Sequence, residues 1–152
     1  MFRIETETDR VDKRRRELLL QRLRAANTAA SPVLRAMRDT AADRESPVGV
    51  WAWGEDGGLV AGLDGHVWAG WLHVNLLWVD AGHRGRGLGS RLLAESEELT
   101  ALRHGCRWSR VSTWDFQAPG FYRGQGYEVV CAIPDYPPGV TEYTLTKRLP
   151  AR

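Results

Sequence analysis

The sequence has little of what would specialise it at once. Cysteine is scarce: Cys106 and Cys131 are the two in 152 residues. Their spacing matches neither a zinc motif nor a redox pair, so neither a metal site nor a disulfide framework is indicated. Long apolar runs are missing. The longest, Val67 to Val79, is interrupted by His73 and Asn75 and falls short of the roughly 18 residues that suggest a membrane span. Charge of one sign is missing too: 21 Lys and Arg stand against 19 Asp and Glu, a net of +2 spread along the chain. That balance gives no reason to expect a nucleic-acid partner. With no signal peptide or lipidation motif at either end, we expect a cytoplasmic protein with reduced thiols.

What is present is ordinary for a globule, with 43% hydrophobic and 26% charged residues. A chain this long buries roughly 70% of its unfolded surface on folding, and one domain over residues 1–152 is the expectation. "MFRIETET" reads as a short first strand, and "DKRRRELLLQRLRAAN" as a helix with Leu19, Leu23 and Ala26 at helical spacing and Asn27 as its stop. Ser31-Pro32 marks a second, short helix. "VGVWAWGEDGGLVAGLDGHVW" reads as a hairpin turning at Asp56-Gly57, and "GWLHVNLLWV" as a longer strand. A helix from Leu88 to Arg103 carries Leu88, Leu92, Leu99 and Leu102 along one side and ends at Gly105. "CRWSRVSTW" is then a strand, "APGFYRGQG" a short helix or turn, and "YEVVCAI" and "TEYTLTKRL" the last strands. This order predicts an α/β domain with a mixed sheet.

The stretch "HRGRGLGSRLL" at 83–93 raises the sharpest question, because glycines crowd a strand-to-helix turn. A Rossmann fingerprint needs G-x-G-x-x-G, and here the third glycine comes one residue early; no Gly-Lys-Ser/Thr closes a Walker loop. A phosphate cradle fits better. Free N–H groups and the helix dipole favour an anion at a helix start, and glycine lets it approach the backbone. The bland alternative is a connection with glycines for geometry alone.

"R-G-R-G-L-G" after "L-L-W-V-D" resembles the acyl-coenzyme A signature R/Q-x-x-G-x-G/A of the GNAT superfamily, with Arg84, Gly87 and Gly89 at its three defined positions. "QAPGFYRGQGY" at 117–127 resembles the family's second element, with Phe121, Tyr122, Gly126 and Tyr127 on its spacing; Gln117 and Tyr127 depart mildly from the usual Asn and Phe. The resemblance covers about residues 46–149 and implies the GNAT fold, a mixed central sheet with splayed strands flanked by helices. It further implies an acetyl-CoA-dependent N-acetyltransferase. The cofactor residues carried over are Leu77 and Val79 for the pantetheine and Arg84, Gly85, Arg86, Gly87, Leu88, Gly89 and Ser90 for the pyrophosphate. Gln117 is expected on the pantetheine or pyrophosphate, and the Val79 N–H on the acetyl carbonyl.

The resemblance makes Tyr122 the candidate catalytic acid. Protonating a thiolate of reference pKa about 8.5 from a tyrosine near 10 is uphill by roughly 2 kcal/mol, which favours a strong hydrogen bond with late transfer. The base stays open. Neutralising an alkyl amine costs about 4–5 kcal/mol and an α-amine about 1, so water competes with His73 and Asp115. Strand alternation would put His73, Asn75, Leu77 and Val79 on one face, and a helix cap is the bland reading of Asp115. The tryptophans near the central strands read as core or an oligomer contact, or as a wall for a cationic amine. "KRRR" at 13–16 reads as a solvated helix face or an RNA-facing patch. The expected acceptor is a small-molecule primary amine attacking directly in a ternary complex. The alternatives are a protein or aminoacyl-tRNA acceptor, or a non-catalytic acyl-CoA sensor; a homodimer fits any of these.

Overall fold

In the computed structural model, which describes residues 2–151, the chain forms two compact units, one up to Thr40 and one from Ala41 onward. The first holds helices α1 (Lys13–Ala30) and α2 (Pro32–Met37). Asp12 caps α1 by accepting from the Arg15 N–H at 2.9 Å. The helix runs three residues past Asn27, because nothing in Thr28–Ala30 breaks it. Ser31 then caps α2, with Pro32 in its first turn as expected.

The expected first strand does not form, and Met1 lies outside the described residues. From Phe2 to Thr8 the chain pairs with no strand. Its alternating glutamates serve α1 instead: Glu5 and Glu7 bind the Arg15 guanidinium at 3.0 and 2.8 Å. Alternation without a partner edge is not a strand.

The second unit is built on a six-stranded mixed sheet, β1 (Ser46–Trp53), β2 (Leu59–Trp68), β3 (Trp71–Val79), β4 (Trp108–Trp114), β5 (Glu128–Ile133) and β6 (Glu142–Arg148), in the order β1-β2-β3-β4-β6-β5. Only β3 and β4 are parallel. Their crossover is α3 (Leu88–His104), which ends on left-handed Gly105. The short α4 (Pro119–Gly124) connects β4 to β5.

α3 packs on β1, β2 and β3. Of the expected leucine stripe it buries Leu92 and packs Leu88 against the core, and its buried face is completed by Leu93, Ser96, Glu97 and Thr100. Leu99 and Leu102 are 38% and 61% exposed. Ser96 and Thr100 fit the buried face because their hydroxyls donate to carbonyls of their own helix, those of Leu93 and Ser96, at 2.7 and 2.8 Å. Four of the tryptophans near the central strands are not core residues either, and Trp71 is half-buried. Trp51, Trp53, Trp68 and Trp78 all stand on the surface, 37–65% exposed. No helix among the described residues is long and apolar enough to cross a membrane.

Candidate active site

β3 and β4 share only four residue pairs, Trp71–Val74 against Trp108–Val111. Beyond them β3 stays paired with β2 as far as Val79, and β4 stays with β6 as far as Trp114. The sheet therefore opens into a gap between its two halves, the splay that the resemblance implied.

A bulge shapes this gap. The β2–β3 register steps from Gly65↔Val74 to Asp64↔Leu76, leaving Asn75 as the extra residue. Leu72 and Val74 bury themselves in the core before it, and Leu77 and Val79 pack against the core after it. One extra residue moves the inward face from even to odd numbers. His73 therefore does not share a face with Leu77 and Val79, contrary to simple alternation. Backbone direction follows from the same register. The Asp80 N–H donates to the Val60 carbonyl at 2.9 Å, so hydrogen-bonded pairing with β2 falls on Asp80 and, two residues back, Trp78. Leu77 and Val79 turn their N–H and C=O groups the other way, into the gap.

The turn after β3 carries Gly85 and Gly87 at φ 73° and 75°, the left-handed region that glycine enters without strain. Gly87 is the N-cap of α3 and supplies no side-chain cap. The first amides of the helix, on Leu88, Gly89 and Ser90, are thus left without intrahelical partners. A Cβ on Gly89 would stand 3.5 Å from both Phe121 Cζ and Val79 Cγ2, so the helix start, α4 and β3 converge there. Arg84 donates from Nε to the Val79 carbonyl at 3.0 Å, tying the turn to the strand end.

A cleft of about 670 Å³ lies over this convergence. It brings together Leu77, Val79, Arg84, Gly85, Gly87, Leu88, Gly89, Ser90, Gln117 and Tyr122, each expected there; Arg86 is exposed and not part of the lining. Sequence reasoning missed Trp78, His83, Phe116, Ala118 and Phe121. The aromatic-rich run around the second motif was the available signal for the last three. His83 is held by Asp80, Nδ1 to Oδ2 at 2.8 Å, and that hydrogen bond lowers the Asp80 carboxyl below its usual range.

Gln117 turns its Oε1 inward, accepting from Thr113 Oγ1 and the Trp114 N–H, both at 3.2 Å. Tyr122 is 5% exposed, its ring edge-on to Phe121 and Tyr127. Among the described residues no hydrogen bond is made by its hydroxyl, and Tyr122 is one of the residues lining the cleft. Burial pushes its pKa up to about 12. Asp115 is occupied: its carboxylate accepts from the Thr141 N–H at 3.1 Å, a loop tether rather than a helix cap. His73 lines a separate recess of about 390 Å³ at the fork itself, with Asn75, Arg110 and Ser112. Burial, then His66 stacked at 4.5 Å and then Arg110, lower the His73 pKa below 6.5 and keep the ring neutral at pH 7.

An open strand edge running into a bare helix start suits an amide-bearing arm that ends in a pyrophosphate. Residues 14–127 match the model of the acetyltransferase (GNAT) family. The chain belongs to that family. It is an N-acetyltransferase, and acetyl-CoA is its donor. It is similar to the blasticidin-S acetyltransferase of Streptomyces morookaense, 53% identical over 135 residues that cover 87% of this chain and 99% of the relative. It is 33% identical over 94 residues to the acetyltransferase Atu2258 of Agrobacterium fabrum, covering 62% of this chain and 68% of that one. Among solved structures, an acetyltransferase from Bacillus cereus superposes with a TM-score of 0.78 at 28% identity, over 95% of this chain and 98% of that one.

Proposed function

We propose that this GNAT enzyme acetylates a primary amine of a small-molecule antibiotic, blasticidin S, by direct attack in a ternary complex. The observation that carries this reading is 53% identity to a blasticidin-S acetyltransferase along nearly that protein's whole length. The family match crosses Thr40, so we treat residues 1–152 as one functional domain. Acetyl-CoA supplies an activated thioester, which places the work inside the cell.

In this reading the amides of Leu77 and Val79 hold the pantetheine arm, and the Val79 N–H polarises the acetyl carbonyl. The amides from Gly85 to Ser90 bind the pyrophosphate at the positive end of α3, with Arg84 and Arg86 adding charge. The Gln117 amide nitrogen, left free by its anchored oxygen, reaches the arm. The Tyr122 hydroxyl donates to the departing sulfur. With a pKa of about 12 against about 8.5 for a thiol, full proton transfer is uphill by about 5 kcal/mol. Tyr122 therefore acts by hydrogen bond, with water delivering the proton later. On the acceptor side His73, held neutral at the fork, takes the proton of the attacking amine.

A competition panel tests the acceptor. Coenzyme A release and acetylated product are measured with blasticidin S, aminoglycosides, peptide N-termini and aminoacyl-tRNA. The proposal expects blasticidin S to give the highest kcat/KM and a product heavier by one acetyl group. Preference for a peptide or tRNA would overturn it, and coenzyme binding without turnover of any amine would mark a sensor.

A further inference from the structure

The sheet face turned away from α3 carries a group of side chains that the donor cleft does not use. Trp51 in β1 pairs with Gly62 in β2, which pairs in turn with Trp78 in β3. One step along, Gly49 pairs with Asp64, and Asp64 with Leu76. A Cβ on Gly62 would come within 2.7 Å of Trp51 Cε3, and one on Gly49 within 2.9 Å of Trp51 Nε1. The indole therefore lies flat across bare backbone on two strands. Both glycines are part of this arrangement, since any side chain would lift the ring.

A ring laid down in this way turns one π face to the sheet and the other to solvent. Trp51 is 51% exposed and Trp78 47% exposed. Register sets Asp64 on the same face, across from Gly49, over which the indole N–H edge extends. Among the described residues the Asp64 carboxylate makes neither a hydrogen bond nor an ion pair. An open indole face beside an unpaired carboxylate is complementary to a positive charge. The patch is also continuous with the chemistry, because Trp78 lines the donor cleft together with its neighbours Leu77 and Val79.

We propose that this face anchors the acceptor: a positively charged group of the acceptor sits on the Trp51 indole against Asp64. That group is distinct from the amine that reacts. The attacking nitrogen must be neutral to form the new bond, so it cannot also be the charge held by the carboxylate. Trp78 bridges the anchor to the gap where transfer takes place. The inference rests on the small-molecule reading above and names the chemistry of the substrate: an amine with a second, cationic group.

Two arms test it. The first needs no turnover. Tetramethylammonium and its neutral isostere tert-butanol are titrated onto the full chain while the indole N–H signals are followed by NMR, with Trp51→Phe assigning the Trp51 signal. The expected result is a saturable shift of the Trp51 signal with the cation, little response to the alcohol, and loss of the cation response in Asp64→Asn. Equal responses to both probes, or no shift of that signal, would overturn the proposal even if the enzyme acetylates blasticidin S. The second arm measures blasticidin S kinetics in Asp64→Asn and Trp51→Leu. Acceptor KM should rise at least tenfold, with the loss on KM rather than kcat and with acetyl-CoA KM unmoved, the pattern of uniform acceptor binding. Unchanged acceptor KM in folded variants would contradict it. An inactive wild type would instead reject the acceptor reading and leave the titration to judge the anchor.

Discussion

Tyr127 donates its hydroxyl hydrogen to Glu97 Oε1 at 2.9 Å, joining the chain just after α4 to the buried face of α3. Ser109 Oγ in β4 lies 2.7 Å from the same hydroxyl, and Lys147 Nζ in β6 reaches Glu97 Oε2 at 2.6 Å. Burial first, and the Glu97 charge second, raise the Tyr127 pKa, so the phenol remains a donor. The Tyr127 ring also meets Tyr122 edge-on at 5.7 Å. One buried polar network thus fixes α3, β4 and β6 around the wall that positions Tyr122.

Tyr127→Phe should therefore destabilise the fold more than it slows catalysis. Leaving a buried partner unsatisfied costs about 1–3 kcal/mol. For a chain near 150 residues that lowers Tm by about 2–4 °C per kcal/mol. Thermal unfolding should show a drop of about 2–12 °C. An unchanged Tm would mean that the network contributes nothing net.

The strand and helix order of the second unit was legible because each element carries its own punctuation, such as Asp56-Gly57 at the hairpin and Gly105 after α3. The candidate donor site was legible for a related reason: the two motifs that carry the family resemblance are written into consecutive residues, although the glycines alone left a purely geometric role open. The bulge at Asn75 was not. It depends on how β2 and β3 share register, and one skipped pair reverses every later face of β3. Nor could the exposure of Trp51 be read locally, since it depends on Gly49 and Gly62, the second on another strand. Phe2–Thr8 shows the converse, a strand-like pattern whose charges found a helix first.

Gly89→Val separates cleft filling from backbone strain. Gly89 does not lie at positive φ, and its new side chain would meet Phe121 and Val79, both lining the cleft. Calorimetry should find acetyl-CoA affinity lowered more than tenfold in a folded protein. Gly87→Val should lose affinity too, with stability falling as well, because at φ 75° a branched residue adds about 1–2 kcal/mol of strain. Unchanged affinity in Gly89→Val would remove the cradle from the mechanism.

His73 predicts a pH profile. Its folded pKa lies below the unfolded 6.5, and in the proposed mechanism the neutral ring is the base. The His73 contribution to the rate should be fully developed above pH 6.5 and fall as pH drops through the lower folded value, while deprotonation of the acceptor amine raises the rate further toward alkaline pH. Stability shares the sign: it is present above 6.5 and declines toward acid, where the unfolded chain takes up the proton first. His73→Gln should lower kcat and remove this acid limb. A variant that keeps the limb would assign the proton to water.

Neither thiol should carry an acetyl group. Cys106 is fully buried, and burial raises its pKa; Cys131 lies exposed in β5, away from the cleft. A Cys106→Ala, Cys131→Ser double variant should retain activity with no acetyl-enzyme by mass spectrometry. Trapping a cysteine-bound acetyl group in the wild type would replace direct transfer with a two-step route.

That transfer occurs in the gap between β3 and β4 beneath the Tyr122 hydroxyl is tested most directly by single-turnover kinetics of Tyr122→Phe with saturating acetyl-CoA and blasticidin S. The ring and its contacts remain, so coenzyme affinity should be nearly unchanged. The rate of the chemical step should fall by about 10²-fold or more, within the range for losing one hydrogen-bond donor to a developing anion. A rate within threefold of wild type would contradict this account and leave Tyr122 as a packing residue.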